Sequence, residues 1–177
     1  VDDMGASPAQ AACEYLDFEA PYGLLIDGEI EHVEQTFDVC NPANNKPFAS
    51  APLGSAEDMR RAIAAAKRAF PAWAALSADE REAQMVALYE ALEAHKEDFI
   101  TLLSLEQGKP RHNQATFEVN LANPWIPKTA KARLKTEILE EDDDHRVELR
   151  RSPLGVVGAI IPWNYPYLHV LWKSVPA

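Results

Sequence analysis

The residues best placed to do chemistry lie in the last quarter of this 177-residue chain. Asn164 sits in the turn Pro162-Trp163-Asn164-Tyr165-Pro166, between an apolar run and the start of a helix. A carboxamide at such a turn, beside the free N–H groups that open a helix, makes a neutral donor pair. Neutral donors suit an oxygen that gains negative charge during a reaction. Asparagine serves better there than lysine where a bound ligand is already cationic. Tyr165, His169, Trp172 and Lys173 follow at i, i+4, i+7 and i+8, so they share one helical face pointing back toward the turn. A face carrying Tyr and Trp can line an apolar tunnel. The same residues also have a plain structural reading, with Asn164 as a helix cap, Tyr165 and Trp172 as core and Lys173 as solvated surface.

The elements that must position this turn are legible upstream. Residues 1–21 read as an arm carrying Pro8 and Pro21. From Gly23 to Asn41 the pattern is strand, turn, strand, with Asp27-Gly28 as a hairpin turn. Asn41-Pro42 and Asn44-Asn45-Lys46-Pro47 are turn chemistry, and FASAPL (48–53) is a further strand. Ser55 is a good N-cap, and Glu57 and Asp58 favour the positive helix end. Met59, Ile63, Ala66 and Phe70 recur at helical spacing, and Pro71 is expected to end that run. Ser77 to Glu80 is a capping box. Met85, Leu88, Leu92, Phe99 and Leu103 predict one long helix, closed by Gly108 as a left-handed cap with Pro110 as a stop. A third helix, about Gln114 to Leu121, is interrupted at Pro124 and Pro127, since an interior proline costs a helix about 3 kcal/mol. KTEIL and RVELRR predict two strands flanking an acidic tip. The apolar run 153–161 reads as a strand buried on both faces of a parallel sheet. Pro166 fits the first turn of a helix that follows.

Composition narrows the function. With 17 Lys plus Arg against 28 Asp plus Glu, the net charge of −11 argues against nucleic acid and against an anionic membrane surface as partners. The apolar run Leu154–Trp163 is too short to cross a bilayer and contains Pro162. No secretory signal opens the chain, so the expectation is a cytoplasmic protein with reduced thiols at Cys13 and Cys40. The five histidines are scattered, and no Cys/His cluster has zinc spacing. The acidic run Glu140–Asp144 lacks the alternating ligands and glycine of a calcium loop, so no metal is expected. There is neither a G-x-G-x-x-G nor a G-x-x-x-x-G-K-S/T loop, and phosphate loops alone mark no nucleotide site.

Three ordered segments resemble the aldehyde dehydrogenase superfamily. They are FDVCNPANNKPFASAPLGSAEDMRRAIAAAKRAFPAWAALS at 37–77, LSLEQGKP at 103–110 and PLGVVGAIIPWNYPYLHVLWK at 153–173. The resemblance covers about Leu24 to Ala177, and the last segment is the most specific. It implies an α/β fold: an incomplete Rossmann-like parallel sheet with helices, plus a β-hairpin of the oligomerisation region. Residues 22–133 and 152–177 would form the first part of an NAD(P)-binding domain, and 134–151 the hairpin that joins subunits into a dimer or tetramer. The implied reaction is NAD- or NADP-dependent oxidation of an aldehyde to an acid.

By the same resemblance Asn164 would hold the thiohemiacetal oxygen, and Ile161, Pro162 and Trp163 would lie along the cofactor's ribose and nicotinamide. Lys173 would act in a proton relay. Tyr165, His169 and Trp172 would line the substrate tunnel. His169 stands where an apolar residue is more usual, and Pro124 and Pro127 depart from the family's unbroken helix. The nucleophilic cysteine, the glutamate that activates water and the lysine that grips the adenosine ribose belong to downstream motifs not found here. Neither Cys13 nor Cys40 has a neighbouring base or a helix N-terminus to activate it. The sequence therefore reads as an N-terminal portion, inactive by itself, without the catalytic domain. The alternatives are a truncated, non-catalytic assembly or regulatory module, or an acyl-reducing or semialdehyde-specific branch of the superfamily.

Overall fold

The computed structural model describes Phe18 and residues 22–177, so the expected arm at 1–21 lies, Phe18 apart, outside the described residues. The chain opens with two hairpins. In the first, β1 (Leu24–Ile26) pairs antiparallel with β2 (Glu29–Glu31). Asp27 and Gly28 both have positive φ, as the tightest two-residue hairpin turns require. In the second, β3 (Thr36–Asn41) pairs with β4 (Lys46–Pro52), with a bulge at Val39/Cys40. The Asn41 and Asn44 side chains accept from the backbone two residues on, which closes the second turn.

The helices follow as α1 (Ala56–Ala75), α2 (Ala78–Ala94) and α3 (Lys96–Gln107). The expected stop at Pro71 does not occur. Pro71 is exposed, so the carbonyl left without a donor can be hydrated and the helix runs one more turn. Nor is there one long second helix. The backbone leaves helical geometry at His95 (φ −105°, ψ 18°), and α3 restarts with Glu97 and Asp98 in its first turn. The α1 stripe is only partly covered: Ala65 is buried, whereas Met59 and Ile63 stay exposed.

Both α1 and α2 open with complete capping boxes, in which Ser55 and Ser77 exchange hydrogen bonds with Asp58 and Glu80. Bonds from the Ser55 hydroxyl and backbone hold the Asp58 carboxyl below its ordinary 3.8, and the Ser77 backbone does the same for Glu80 below 4.5. A depressed folded-state value means that the stabilisation is complete above the unfolded values and is lost as pH falls through the folded ones. Helical circular dichroism is therefore expected to hold down to pH 4.5 and to decline below pH 3.8. The Asp58→Asn/Glu80→Gln double variant should flatten that decline, and an unchanged acid curve would assign it to other carboxylates.

Gly108 takes the left-handed cap of α3 (φ 68°), where a Cβ would also approach Pro42 Cγ to 2.9 Å. A π-helical turn, Arg111–Ala115, then leads into α4 (Thr116–Ala122). The third helix thus begins earlier than the pattern predicts. It breaks at Asn123-Pro124, as expected, but α5 (Trp125–Ala130) continues through Pro127. Pro127 lies in the first turn of α5, where its missing N–H has no intrahelical partner to lose.

The hairpin of β5 (Glu137–Glu141) and β6 (Arg146–Leu149) forms where expected, with the acidic run at its exposed tip. The segment 151–162 does not become the buried strand the sequence predicts. It is unpaired, and Leu154 and Ile160 are 95% and 86% exposed. Every strand pairing among the described residues is antiparallel. Hydrophobic pattern alone does not make a strand, because the backbone ladder needs a neighbour. The last element is α6 (Pro166–Ser174).

Two linked clusters hold the helices. Ile100 and Leu103 of α3 meet Ala115 and Val119, while Ala122 and Ile126 meet Leu168 and Leu171 of α6. Met85, Leu88 and Leu92 pack on the second cluster from α2, as their spacing predicts. Tyr167 touches both clusters. Burial pushes its phenol well above the ordinary tyrosine range. Its hydroxyl donates to buried Asn123 at 2.6 Å, and Asn123 donates to Glu93 of α2. No helix among the described residues is long and apolar enough to cross a membrane.

Candidate functional site

The turn that carries Asn164 is held from the end of α3 and the connection that follows it. Gln107 Nε2 donates to the Trp163 carbonyl at 2.5 Å, and Lys109 Nζ donates to the Asn164 carbonyl at 2.7 Å. The Lys109 ammonium also stands 4.4 Å from the Tyr165 ring centroid. Both bonds go to backbone oxygens. The Asn164 side chain is therefore left exposed, and its carboxamide makes no hydrogen bond among the described residues.

Behind the turn lies a buried ion pair. Glu118 of α4 is 0% exposed; its Oε2 accepts from Lys109 Nζ and its Oε1 from the Leu168 backbone N–H at 3.1 Å. Leu168 is the third residue of α6, and Tyr165 supplies no side-chain cap. A carboxylate fifty residues upstream thus fills the capping role at the positive end of α6. Pro166 occupies the first helical position, where a missing N–H is harmless.

Between residues 106–110, Gln114 and the turn 163–165 opens a cleft of about 660 Å³. Partial loss of hydration pushes the Glu106 carboxyl on its wall above the usual range. The turn also bounds an apolar shelf, with Trp163 84% exposed and Ile161 and Pro162 half-buried.

The structure divides the helical face predicted from the sequence. Tyr165 packs toward the α4–α6 cluster and borders the cleft. His169 and Trp172 are not part of its lining. Their rings meet edge-on at 5.6 Å, and Trp172 packs at a 51° tilt against Trp125 of α5, with ring centroids 5.8 Å apart. Lys173 donates to the Ile160 carbonyl and so ties α6 to the extended segment before the turn. Gln107 and Lys109 belong to the segment 103–110 that carries part of the family resemblance, but neither their contacts nor Glu118 are legible in the sequence pattern. The EQGKP stretch at 106–110 was the available signal, since it is polar chain directly after a left-handed helix stop.

Cys40 is exposed at the bulge of β3, and Cys13 lies outside the described residues. At the hairpin tip Glu140, Asp142 and His145 bring ligand-type atoms within 4.8 Å of one another. All three are exposed, and His145 already pairs with both carboxylates, which is ordinary for a solvated acidic turn.

Helices mixed with small sheets, and a clamped turn leading into a capped helix that packs on the helical layer, are those of part of an α/β fold. The aldehyde dehydrogenase family model matches residues 30–177, and the chain belongs to that family. It is 36% identical over 158 residues to the NADP(+) succinate-semialdehyde dehydrogenase of Escherichia coli, covering 86% of this chain and 33% of that protein. It is 36% identical to a glutarate-semialdehyde dehydrogenase of Pseudomonas putida over 81% of this chain and 30% of that one. Among solved structures, lactaldehyde dehydrogenase from Escherichia coli superposes with a TM-score of 0.83 at 32% identity, over 88% of this chain and 34% of that one. An indole-3-acetaldehyde dehydrogenase of P. syringae in complex with NAD+ gives 0.85 at 28% identity, over 96% and 35%. The chain therefore spans about a third of the length of these relatives.

Proposed function

We propose that this chain is the N-terminal part of the NAD(P)+-side region of an enzyme that oxidises an aldehyde to a carboxylic acid, with Asn164 supplying an oxyanion-hole donor. The observation that carries this reading is the Asn164 carboxamide, exposed and uncommitted on a turn whose backbone is fixed from a second element. The backbone that carries this donor is held in place before the reaction begins, and the carboxamide stays free to meet an oxygen that gains charge. The relatives' names supply the chemistry: several are aldehyde dehydrogenases, one NADP(+)-dependent and one seen with NAD+.

The residues present fit one end of such a cofactor. The apolar shelf of Ile161, Pro162 and Trp163 suits the flat nicotinamide and its ribose, while nothing in the sequence provides a glycine-rich diphosphate loop. Bound there, a nicotinamide would supply the hydride acceptor. Asn164 holds the oxygen, Tyr165 borders the cleft, and Lys173, anchored at the Ile160 carbonyl, fixes the approach of α6 to the shelf. His169 and Trp172 would form a wall of the aldehyde passage farther along α6. We place residues 22–133 and 152–177 in the cofactor domain, 134–151 in subunit contacts, and the protein in the cytoplasm. The exposed apolar side chains of the hairpin, Ile138, Leu139, Val147 and Leu149, favour its use in assembly, which is also what a non-catalytic assembly module of this fold would retain.

Two measurements separate these readings. Purified residues 1–177 should reduce neither NAD+ nor NADP+ with a panel of aliphatic, aromatic and carboxylate-bearing aldehydes, and turnover by them would refute the division of labour. The gene should continue past codon 177 into a lysine, a glutamate and a cysteine whose product is active. An immediate stop codon would favour the assembly module.

A further inference from the structure

We propose that the buried Lys109–Glu118 pair is a positioning device for Asn164, an inference that rests on the oxidative reading above. The two side chains come from the loop after α3 and from α4, and they are almost sealed from solvent, at 10% and 0% exposure. Burying two charges is expensive, and an apolar pair of similar volume is often at least as stable. The attraction between the two charges is therefore not what accounts for the pair. Its distal contacts do. Lys109 Nζ reaches the Asn164 carbonyl, and Glu118 Oε1 takes the Leu168 N–H four residues farther on. One ion pair thus grips the chain on both sides of the Asn164–Leu168 bend. The strong acceptor and the strong donor meet each other at the centre and share a single geometry. The turn cannot shift toward the cleft without stretching a charge-assisted bond, so the position of the backbone that carries the Asn164 carboxamide is set from α4. Lys109 borders the cleft and Glu118 does not, and both act through the backbone that carries Asn164.

The test uses the complete gene product with NAD+ and the best aldehyde of the panel. Lys109→Met should lower kcat about tenfold or more, because misplacing a catalytic group by an ångström is costly, while KM for NAD+ stays within about twofold. Lys109→Arg, which keeps the charge and the reach, should recover most of the loss. If Lys109→Met does not fold, Glu118→Gln carries the test, since it keeps an acceptor for Leu168 and removes the charge that holds Lys109. An unchanged kcat per folded molecule in either variant overturns the inference, as does failure of Lys109→Arg to recover activity. If the wild-type product oxidises no aldehyde, the functional reading fails on its own. Positioning is then decided by nuclear magnetic resonance. Shifted Asn164 carboxamide signals and faster exchange of the Leu168 amide in Glu118→Gln support it, and unmoved signals overturn it.

Discussion

Asn164→Ala is expected to lower kcat of the complete gene product by roughly 10²–10³-fold, the usual cost of removing one oxyanion donor. Two features make this a clean experiment. The turn is held through the carbonyls of Trp163 and Asn164, by Gln107 and Lys109, and alanine keeps both acceptors. The carboxamide itself is exposed and makes no hydrogen bond among the described residues, so the change in stability should stay within about 0.5 kcal/mol, as for ordinary surface positions. A large fall in rate without a fall in Tm or a rise in KM for the cofactor would place the lost interaction in the transition state. Asn164→Asp sharpens the comparison, because it preserves shape but sets a negative charge against a developing one and should be no better than alanine. A rate in Asn164→Ala equal to the wild type would remove Asn164 from the mechanism and return it to the role of a simple turn residue.

How far the sequence reveals this site depends on the range of the interactions involved. Local rules are legible. Asp27-Gly28, the Ser55 and Ser77 capping boxes, Gly108 and Pro166 all behave as their types dictate, because each decision is made within four residues. The failures come where the outcome depends on partners. Residues 153–161 have the composition of a buried strand but remain extended and exposed, since no strand among the described residues pairs with them and α6 reaches them through the Lys173 bond to the Ile160 carbonyl without covering them. The stripe on α1 is likewise periodic yet uncovered at Met59 and Ile63. Tyr165, His169, Trp172 and Lys173 share a face by arithmetic, but Lys109 draws Tyr165 to the cleft while Trp125 holds Trp172 away from it. Glu118 is the clearest case. In sequence it is one more acid on a short helix; in the fold it is the buried carboxylate that caps α6 and anchors Lys109. No periodicity reports a contact across fifty residues.

The largest stability effect is expected at Ile126, in the helix whose two prolines read as an interruption. Ile126 is completely buried between Ala122 of α4 and Leu168 and Leu171 of α6, with α2 side chains closing the cluster. Prolines at 124 and 127 do not weaken this helix. They fall before it and in its first turn, where no hydrogen bond is lost, and they fix φ for the bend that turns Ile126 inward. Truncating a fully buried isoleucine removes its transfer free energy and leaves a cavity, so Ile126→Ala should cost about 2–5 kcal/mol in chemical denaturation, against 0.5–1.5 for Ile126→Val. The two losses should scale with the volume removed if the cluster is rigid, and a cost below about 1 kcal/mol for the alanine variant would mean that α5 is not packed as described. The cluster also carries Leu168, whose amide Glu118 holds, so a cavity at Ile126 loosens the floor beneath α6. Where Ile126→Ala remains folded, kcat should fall in step with faster exchange of the Leu168 amide, because the same contacts that stabilise this half of the molecule orient the turn bearing Asn164.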